Sequence, residues 1–82
     1  MVTIDFSDNF EKIAKKIKDQ ALKEQIKKHI KKIIEDPKIG KPMMYSRKGT
    51  REVYISHYRL SYIYIQEQDK VVLLDIYHKD EQ

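Results

Sequence analysis

The second half of the sequence contains four side chains that could act together in acid–base chemistry: Glu52, Tyr54, Arg59 and His78. A carboxylate or an imidazole can take up a proton, an imidazole or a phenol can return one, and a guanidinium can hold an anion. Attack of an RNA 2′-hydroxyl on its own phosphodiester needs these three roles and requires no metal ion. The set therefore suits phosphodiester cleavage.

Each of these residues also has a structural interpretation that the sequence leaves open. Arg59 could pair with Glu52 or Asp75 on a neighbouring strand, an interaction worth about 0.2–1 kcal/mol when exposed. Glu52 could be an exposed strand residue, and His78 could be a structural histidine at the end of a strand. The six tyrosines could stack on bases or pack as amphipathic strand residues.

Positive charge is distributed unevenly along the chain. Residues 1–41 contain eleven lysines, no arginine and seven acidic residues, so the whole formal net charge of +4 falls in this half. All three arginines, Arg47, Arg51 and Arg59, lie within thirteen consecutive positions. Arginine offers a planar fork that fits phosphate, whereas lysine acts as a point charge. The lysines could attract nucleic acid or could simply be a solvated helix surface.

Length and composition exclude several classes of protein. The 82 residues form one domain, residues 1–82, whose small core leaves little room for a deep pocket. The absence of cysteine excludes disulfides and thiolate metal sites, and the histidines lack metal-ligand spacing, so we expect no metal and no cofactor. No apolar run is long enough to span a membrane, and the N-terminus does not resemble a signal peptide, which predicts a cytoplasmic protein.

Hydrophobic periodicity predicts the elements that must position the candidate residues. Alternation of apolar and polar residues predicts a strand over Val2–Phe6. Apolar residues spaced three and four apart then predict two helices. Ser7 caps the first helix, and a break near Asp19-Gln20 separates it from the second. The second helix ends at Asp36-Pro37, because the residue before a proline is pushed out of the helical region. A loop over 37–42 and four strands follow, at 43–47, 51–56, 58–66 and 71–77.

The predicted order of elements is β-α-α-β-β-β-β. The short connection between the helices favours an antiparallel hairpin, which must cover one face of a mostly antiparallel sheet of four to five strands. The fold class is therefore α+β. Alternation in the strand at 58–66 places Arg59 on the face of Ser61 and Ile63, away from Leu60 and Tyr62.

The segment Tyr58-Arg59-Leu60-Ser61-Tyr62-Ile63-Tyr64 resembles the "Tyr-Arg-hydrophobic-x-Tyr" strand of the RelE/ParE toxin superfamily. The final strand, from Val71 to Lys79, and the Lys-rich helical hairpin are similar to the same layout. The resemblance implies a RelE-like fold over the whole chain, although its specific part covers only residues 51–64 and 71–79. It also implies a toxin of a type II toxin–antitoxin system.

Within that superfamily the sequence looks like the RelE and YafQ mRNA interferases, which cleave mRNA on the ribosome. The resemblance implies that Arg59 binds the scissile phosphate and that His78 matches a catalytic histidine, with Glu52 or His78 as the general base and His78 or a tyrosine as the acid. Contacts to the RNA are assigned to Lys48, Arg51, Tyr54 and Lys79. The expected partners are a cognate antitoxin and mRNA on the ribosome.

The sequence departs from the family pattern in two places. Glu52 and Tyr54 replace the basic pair that RelE carries on this strand, and Gln82 stands where an aromatic residue usually follows the histidine. The departures keep open a DNA gyrase inhibitor of the ParE type, or an inactive toxin that only binds its antitoxin. A generic basic RNA-binding module is a third interpretation.

Overall fold

The computed structural model describes residues 2–43 and 49–81. These residues form two α-helices, α1 (Asp8–Lys16) and α2 (Gln20–Glu35). They also form five strands: β1 (Thr3–Phe6), β2 (Lys41–Pro42), β3 (Thr50–Ile55), β4 (Tyr58–Ile65) and β5 (Lys70–His78). Short 3₁₀ turns follow β4 at Gln66–Gln68 and β5 at Lys79–Glu81.

The strands form one sheet in the order β1-β5-β4-β3-β2. β1 runs parallel to β5, and the other neighbouring strands are antiparallel. Along the chain, the two helices follow β1 and precede the other four strands. They form part of the long connection that two parallel neighbours such as β1 and β5 require. The structure thus confirms the predicted α+β class and the mostly antiparallel sheet behind a helical hairpin.

Both helices begin at a side chain that caps free backbone N–H groups. Ser7 Oγ accepts a hydrogen bond from the N–H of Phe10 at 3.0 Å and donates one to the carbonyl of Leu74 at 2.8 Å. Asp19 Oδ1 accepts from the N–H groups of the second helix's first turn. The predicted cap at Ser7 is confirmed, and it joins the start of α1 to β5.

The hydrophobic core lies between the helices and one face of the sheet, so the other face stays open. β4 contributes Leu60 and Tyr62, which are both 0% exposed, while Arg59 and Ser61 alternate onto the open face. The remaining buried apolar residues are Phe10, Leu22, Ile26, Ile33, Ile55, Val71, Leu73 and Ile76. The alternation predicted for β4 is confirmed.

One irregularity in β5 decides which of its side chains reach the open face. Ser61 lies opposite Asp75, but the next residue, Tyr62, lies opposite Leu73, so Leu74 is an extra residue in the ladder. Such a bulge shifts the alternation on one strand relative to its neighbour. As a result both Tyr62 and Leu73 are buried.

Several predicted boundaries are corrected by the structure. The loop predicted over 37–42 ends in a strand, because Lys41 and Pro42 pair with Glu52 and Arg51 at the sheet edge, where a proline is tolerated. Of the strand predicted at 43–47, Met43 lies outside any strand, and residues 44–47 lie outside the described part. The last strand extends to His78, because that residue pairs with Tyr58.

Candidate functional site

The open face of the sheet brings together three of the predicted site residues. Tyr54 on β3 lies directly opposite Arg59 on β4, which lies opposite Tyr77 on β5. In the next row along β3, Glu52 lies opposite Ser61. Opposite residues of antiparallel strands project to the same face, so these side chains are neighbours.

The guanidinium of Arg59 lies over the ring of Tyr54. Its Cζ is 3.8 Å from the ring centroid, and Nη1 donates a hydrogen bond to the carbonyl of Tyr58 at 3.1 Å. Stacking on an aromatic ring holds the planar guanidinium in place without neutralising it. Within residues 2–43 and 49–81, Arg59 forms no ion pair with Glu52 or Asp75, and most of its N–H donors point to no acceptor.

A buried carboxylate lies beside this cation. Glu52 is only 6% exposed, and the hydroxyl of Tyr77 donates a hydrogen bond to its Oε2. The Tyr77 side chain reaches from β5 across β4 to β3 to make this contact. Glu52 is therefore not an exposed strand residue. Its carboxylate is held by a proton donor on the same face as Arg59.

His78 lies on the other face of the sheet. Its imidazole packs edge-on against Tyr58, with ring centroids 5.3 Å apart, and stacks with His57 at 6.2 Å. The N–H of Asp80 donates to its Nδ1 at 3.2 Å. Since Tyr77 shares the face of Arg59, strand alternation turns His78 away from that face, and the fold does not bring it to the guanidinium.

The residues predicted to contact RNA lie in different places. Arg51 donates from Nη1 to the carbonyls of Lys38 at 3.1 Å and Gly40 at 2.8 Å, so it supports the loop before β2. Lys79 is exposed in the last 3₁₀ turn. Lys48 lies outside the described residues. Of the three predicted RNA contacts that the structure describes, Tyr54 alone lies against Arg59.

Tyr77 is the member of this site that the sequence analysis missed. It is the residue before His78 on the last strand, but nothing local indicates which face it occupies. The bulge at Leu74 and the pairing with β4 decide its orientation, and both depend on tertiary structure. The only sequence signal was its position two residues after Asp75, at the end of an apolar strand.

Among the described residues, Tyr62, Tyr64 and Asp5 lie away from this site and have shifted pKa values. Burial raises the pKa of Tyr62, and partial burial with a hydrogen bond to Asp69 raises that of Tyr64. The N–H of Phe6 and then the ammonium of Lys70, 3.3 Å away, lower the pKa of Asp5.

Within the described ranges, no three ligating side chains converge as a metal ion requires. Neither helix there is long and apolar enough to cross a bilayer.

The chain combines a five-stranded sheet, a helical hairpin on one face and a half-buried arginine, Arg59, on the other face. The family described as "ParE toxin of type II toxin-antitoxin system, parDE" matches residues 3–82. The chain belongs to this family, which confirms the resemblance to the RelE/ParE superfamily. Among curated proteins none matches the sequence.

Three solved structures show the same fold. A chain of the intact RelBE toxin–antitoxin complex of E. coli has a TM-score of 0.80 and 24% identity over 93% of this chain and 94% of that one. The isolated E. coli RelE toxin has a TM-score of 0.81 and 24% identity over 95% of this chain and 84% of that one. A chain of the RelBE2 complex of Mycobacterium tuberculosis has a TM-score of 0.82 and 24% identity over 94% of this chain and 96% of that one.

Proposed function

We propose that this toxin is a ribosome-dependent mRNA endonuclease. The observation that carries the proposal is the guanidinium of Arg59, stacked on Tyr54 and unpaired with Glu52 or Asp75 on an open sheet face. An accessible, fixed cation beside a proton acceptor is the arrangement that phosphodiester cleavage uses. The likeness of the fold to RelE supports the same assignment.

The open face offers one group for each step of the reaction. Arg59 holds the scissile phosphate and stabilises the negative charge that builds on its non-bridging oxygens. Glu52 takes the proton of the 2′-hydroxyl, whose oxygen attacks phosphorus, and the bond to the 5′ oxygen breaks. The Tyr77 hydroxyl, already hydrogen-bonded to Glu52, protonates the leaving oxygen and is reprotonated from the Glu52 carboxyl. The products are a 2′,3′-cyclic phosphate and a 5′-hydroxyl.

The proposal is tested by inducing the protein and mapping new mRNA 5′ ends on translating ribosomes. Arg59→Ala should reduce cleavage by at least roughly a hundredfold, because the phosphate loses its charged donor. Arg59→Lys should retain part of the activity, since it keeps the charge but loses the planar fork.

The matched control is Lys12→Ala, which removes one positive charge from the exposed side of α1 and should cleave like the wild type. Circular dichroism must show that the Arg59 variants remain folded. Absence of new ends with the wild type, or full cleavage by folded Arg59→Ala, would refute the nuclease.

A cognate antitoxin is the proposed protein partner. Two of the similar structures are complexes of a RelE-type toxin with its antitoxin. An acidic segment that covers the Lys-rich hairpin or the open face would neutralise the toxin's positive charge. Co-expression of a short neighbouring reading frame should then restore growth, and failure of every adjacent frame to do so would contradict a toxin–antitoxin pair.

A gyrase-directed toxin is the second candidate. The matching family is named for ParE, whose branch inhibits DNA gyrase, and His78 lies away from Arg59. Under this alternative the open face binds protein, and expression induces the DNA-damage response while mRNA stays intact. The same induction experiment distinguishes the two functions, because only the nuclease creates new 5′ ends.

A further inference from the structure

A groove of about 240 Å³ lies beside Tyr54. It is lined by Ile39, Lys41, Glu52, Val53 and Tyr54. Tyr54 is on β3, which lies between β4 and β2 in the sheet. The Arg59 guanidinium that stacks on the Tyr54 ring comes from β4, and the groove lies on the side of β2. One side of the Tyr54 ring is therefore occupied by a cation, while the other side borders this opening.

The two walls of the groove are unusually exposed apolar side chains. Tyr54 is 55% exposed and Ile39 is 48% exposed. In the part of the chain that the structure describes, Phe6 is the one other large apolar residue with comparable exposure, and it lies on the opposite edge strand. Neither Tyr54 nor Ile39 belongs to the hydrophobic core, so core packing does not explain where these two side chains lie.

The wall that carries Ile39 is held firmly in place. The Tyr62 hydroxyl accepts from the N–H of Gly40 at 2.9 Å and donates to the carbonyl of Pro37 at 2.7 Å. Arg51 adds a hydrogen bond to the carbonyl of Gly40 at 2.8 Å. The loop is thus fixed on both sides of Ile39, and a flat ligand that enters the groove meets a preformed slot.

The charges around the groove favour an anionic chain as the ligand. Lys41 on β2 lines the groove, and Arg59 lies on the far side of Tyr54. The Glu52 carboxylate on β3, which also lines the groove, is buried and accepts a hydrogen bond from Tyr77, so the two cations carry the exposed charge. A single-stranded nucleic acid whose phosphate lies on Arg59 can place the adjacent base on the accessible side of the Tyr54 ring. Aromatic side chains bind unpaired bases in this way, and a purine offers more stacking area than a pyrimidine.

We propose that the groove between Tyr54 and Ile39 binds one purine base of the RNA substrate, next to the phosphate held by Arg59. This inference rests on the proposed endonuclease function for the identity of the chain, but base binding can be measured without cleavage. The groove would then select which nucleotide lies at the scissile phosphate.

The test compares the affinity of the protein for 2′-O-methyl hexa-adenylate and 2′-O-methyl hexauridylate by fluorescence anisotropy. These oligonucleotides lack the 2′-hydroxyl and cannot be cleaved. The adenylate should bind at least roughly fivefold more tightly, in line with the contribution of one stacked base. Added salt should weaken both affinities while leaving their ratio unchanged, because the preference comes from stacking and not from charge.

Two variants probe the two walls of the groove separately. Tyr54→Leu and Ile39→Ser should each bring the affinity ratio close to one, and Ile39→Ser does so without touching the ring under Arg59. Phe6→Leu, at the exposed apolar residue on the other edge, is the matched control and should keep the wild-type ratio.

Equal affinities in the wild type, or a ratio that survives both groove variants, would overturn the inference. So would a pattern in which neither oligonucleotide binds and Tyr54→Leu weakens antitoxin binding instead, because the groove would then bind protein. A Tyr54-dependent purine preference without new mRNA ends would refute the nuclease and leave the groove assignment standing. Cleavage without any preference would refute the groove alone.

Discussion

Removal of the Tyr62 hydroxyl tests how the loop before β2 is held. Tyr62 is 0% exposed, and its hydroxyl makes two hydrogen bonds to the loop, from the Gly40 N–H and to the Pro37 carbonyl. Tyr62→Phe keeps the ring and leaves the Gly40 N–H and the Pro37 carbonyl without the hydroxyl that bonds them. An unsatisfied buried polar group costs about 1–3 kcal/mol. Gly40 is buried and Pro37 only partly so, and we therefore expect the free energy of unfolding to fall by about 2–3 kcal/mol.

The measurement is urea unfolding at neutral pH, with Tyr64→Phe as the matched control. The Tyr64 hydroxyl bonds the exposed carboxylate of Asp69 at 3.1 Å, and water can replace that contact. Tyr62→Phe should lower the midpoint clearly more than Tyr64→Phe, with no change in the urea dependence. Equal losses in the two variants would show that the loop hydrogen bonds contribute nothing to stability.

The same variant has a defined effect on the response to alkaline pH. Burial raises the pKa of Tyr62 above its ordinary value of 10.0. Above pH 10 the unfolded chain therefore holds fewer protons than the folded one, so the stability contributed by neutral Tyr62 is lost as pH rises through its folded pKa. Tyr62→Phe should show a shallower loss of stability above pH 10 than the wild type, and a wild-type slope in this variant would contradict the assignment.

Three further changes have definite expected outcomes. Gly40→Ala places a Cβ 2.7 Å from the Tyr62 hydroxyl, so urea unfolding should show a loss of about 1–3 kcal/mol. Asp5 has a pKa below 3.8 because a backbone N–H and then Lys70 favour its charged form, and the stability it adds is lost as pH falls. Asp5→Asn should therefore flatten the acid side of the stability curve, and a wild-type slope would contradict this. Ser7→Ala removes the cap of α1 and should cost about 1–2 kcal/mol in the same assay, while a loss near zero would show that the cap is dispensable.

The strand that carries Arg59 was predicted correctly because its pattern is local. The alternation of Leu60 and Tyr62 with Arg59 and Ser61 needs only the period of two along one strand. The helix start at Ser7 was predicted for a similar reason, since a capping side chain acts within three residues. These features do not depend on how distant segments meet.

The geometry of the candidate site does not follow from local patterns because it depends on contacts between distant residues. Glu52 and Tyr77 are 25 residues apart and meet only after β3, β4 and β5 have paired. Nη1 of Arg51 donates to the carbonyl of Gly40, in the loop that β2 brings beside it, and its contact with RNA stays a prediction. No pattern along the chain reports such contacts.

By itself, the sequence determined the α+β class, the order of the elements and the face to which Arg59 points. Each of these follows from short-range periodicity, capping and the steric effect of proline. Tertiary structure alone decided that Tyr77 joins Glu52, that His78 faces away from them, and that Ile39 stands opposite Tyr54 across a groove. The physical reason is that strand register, the bulge at Leu74 and the pairing of β2 are set by packing between distant parts of the chain.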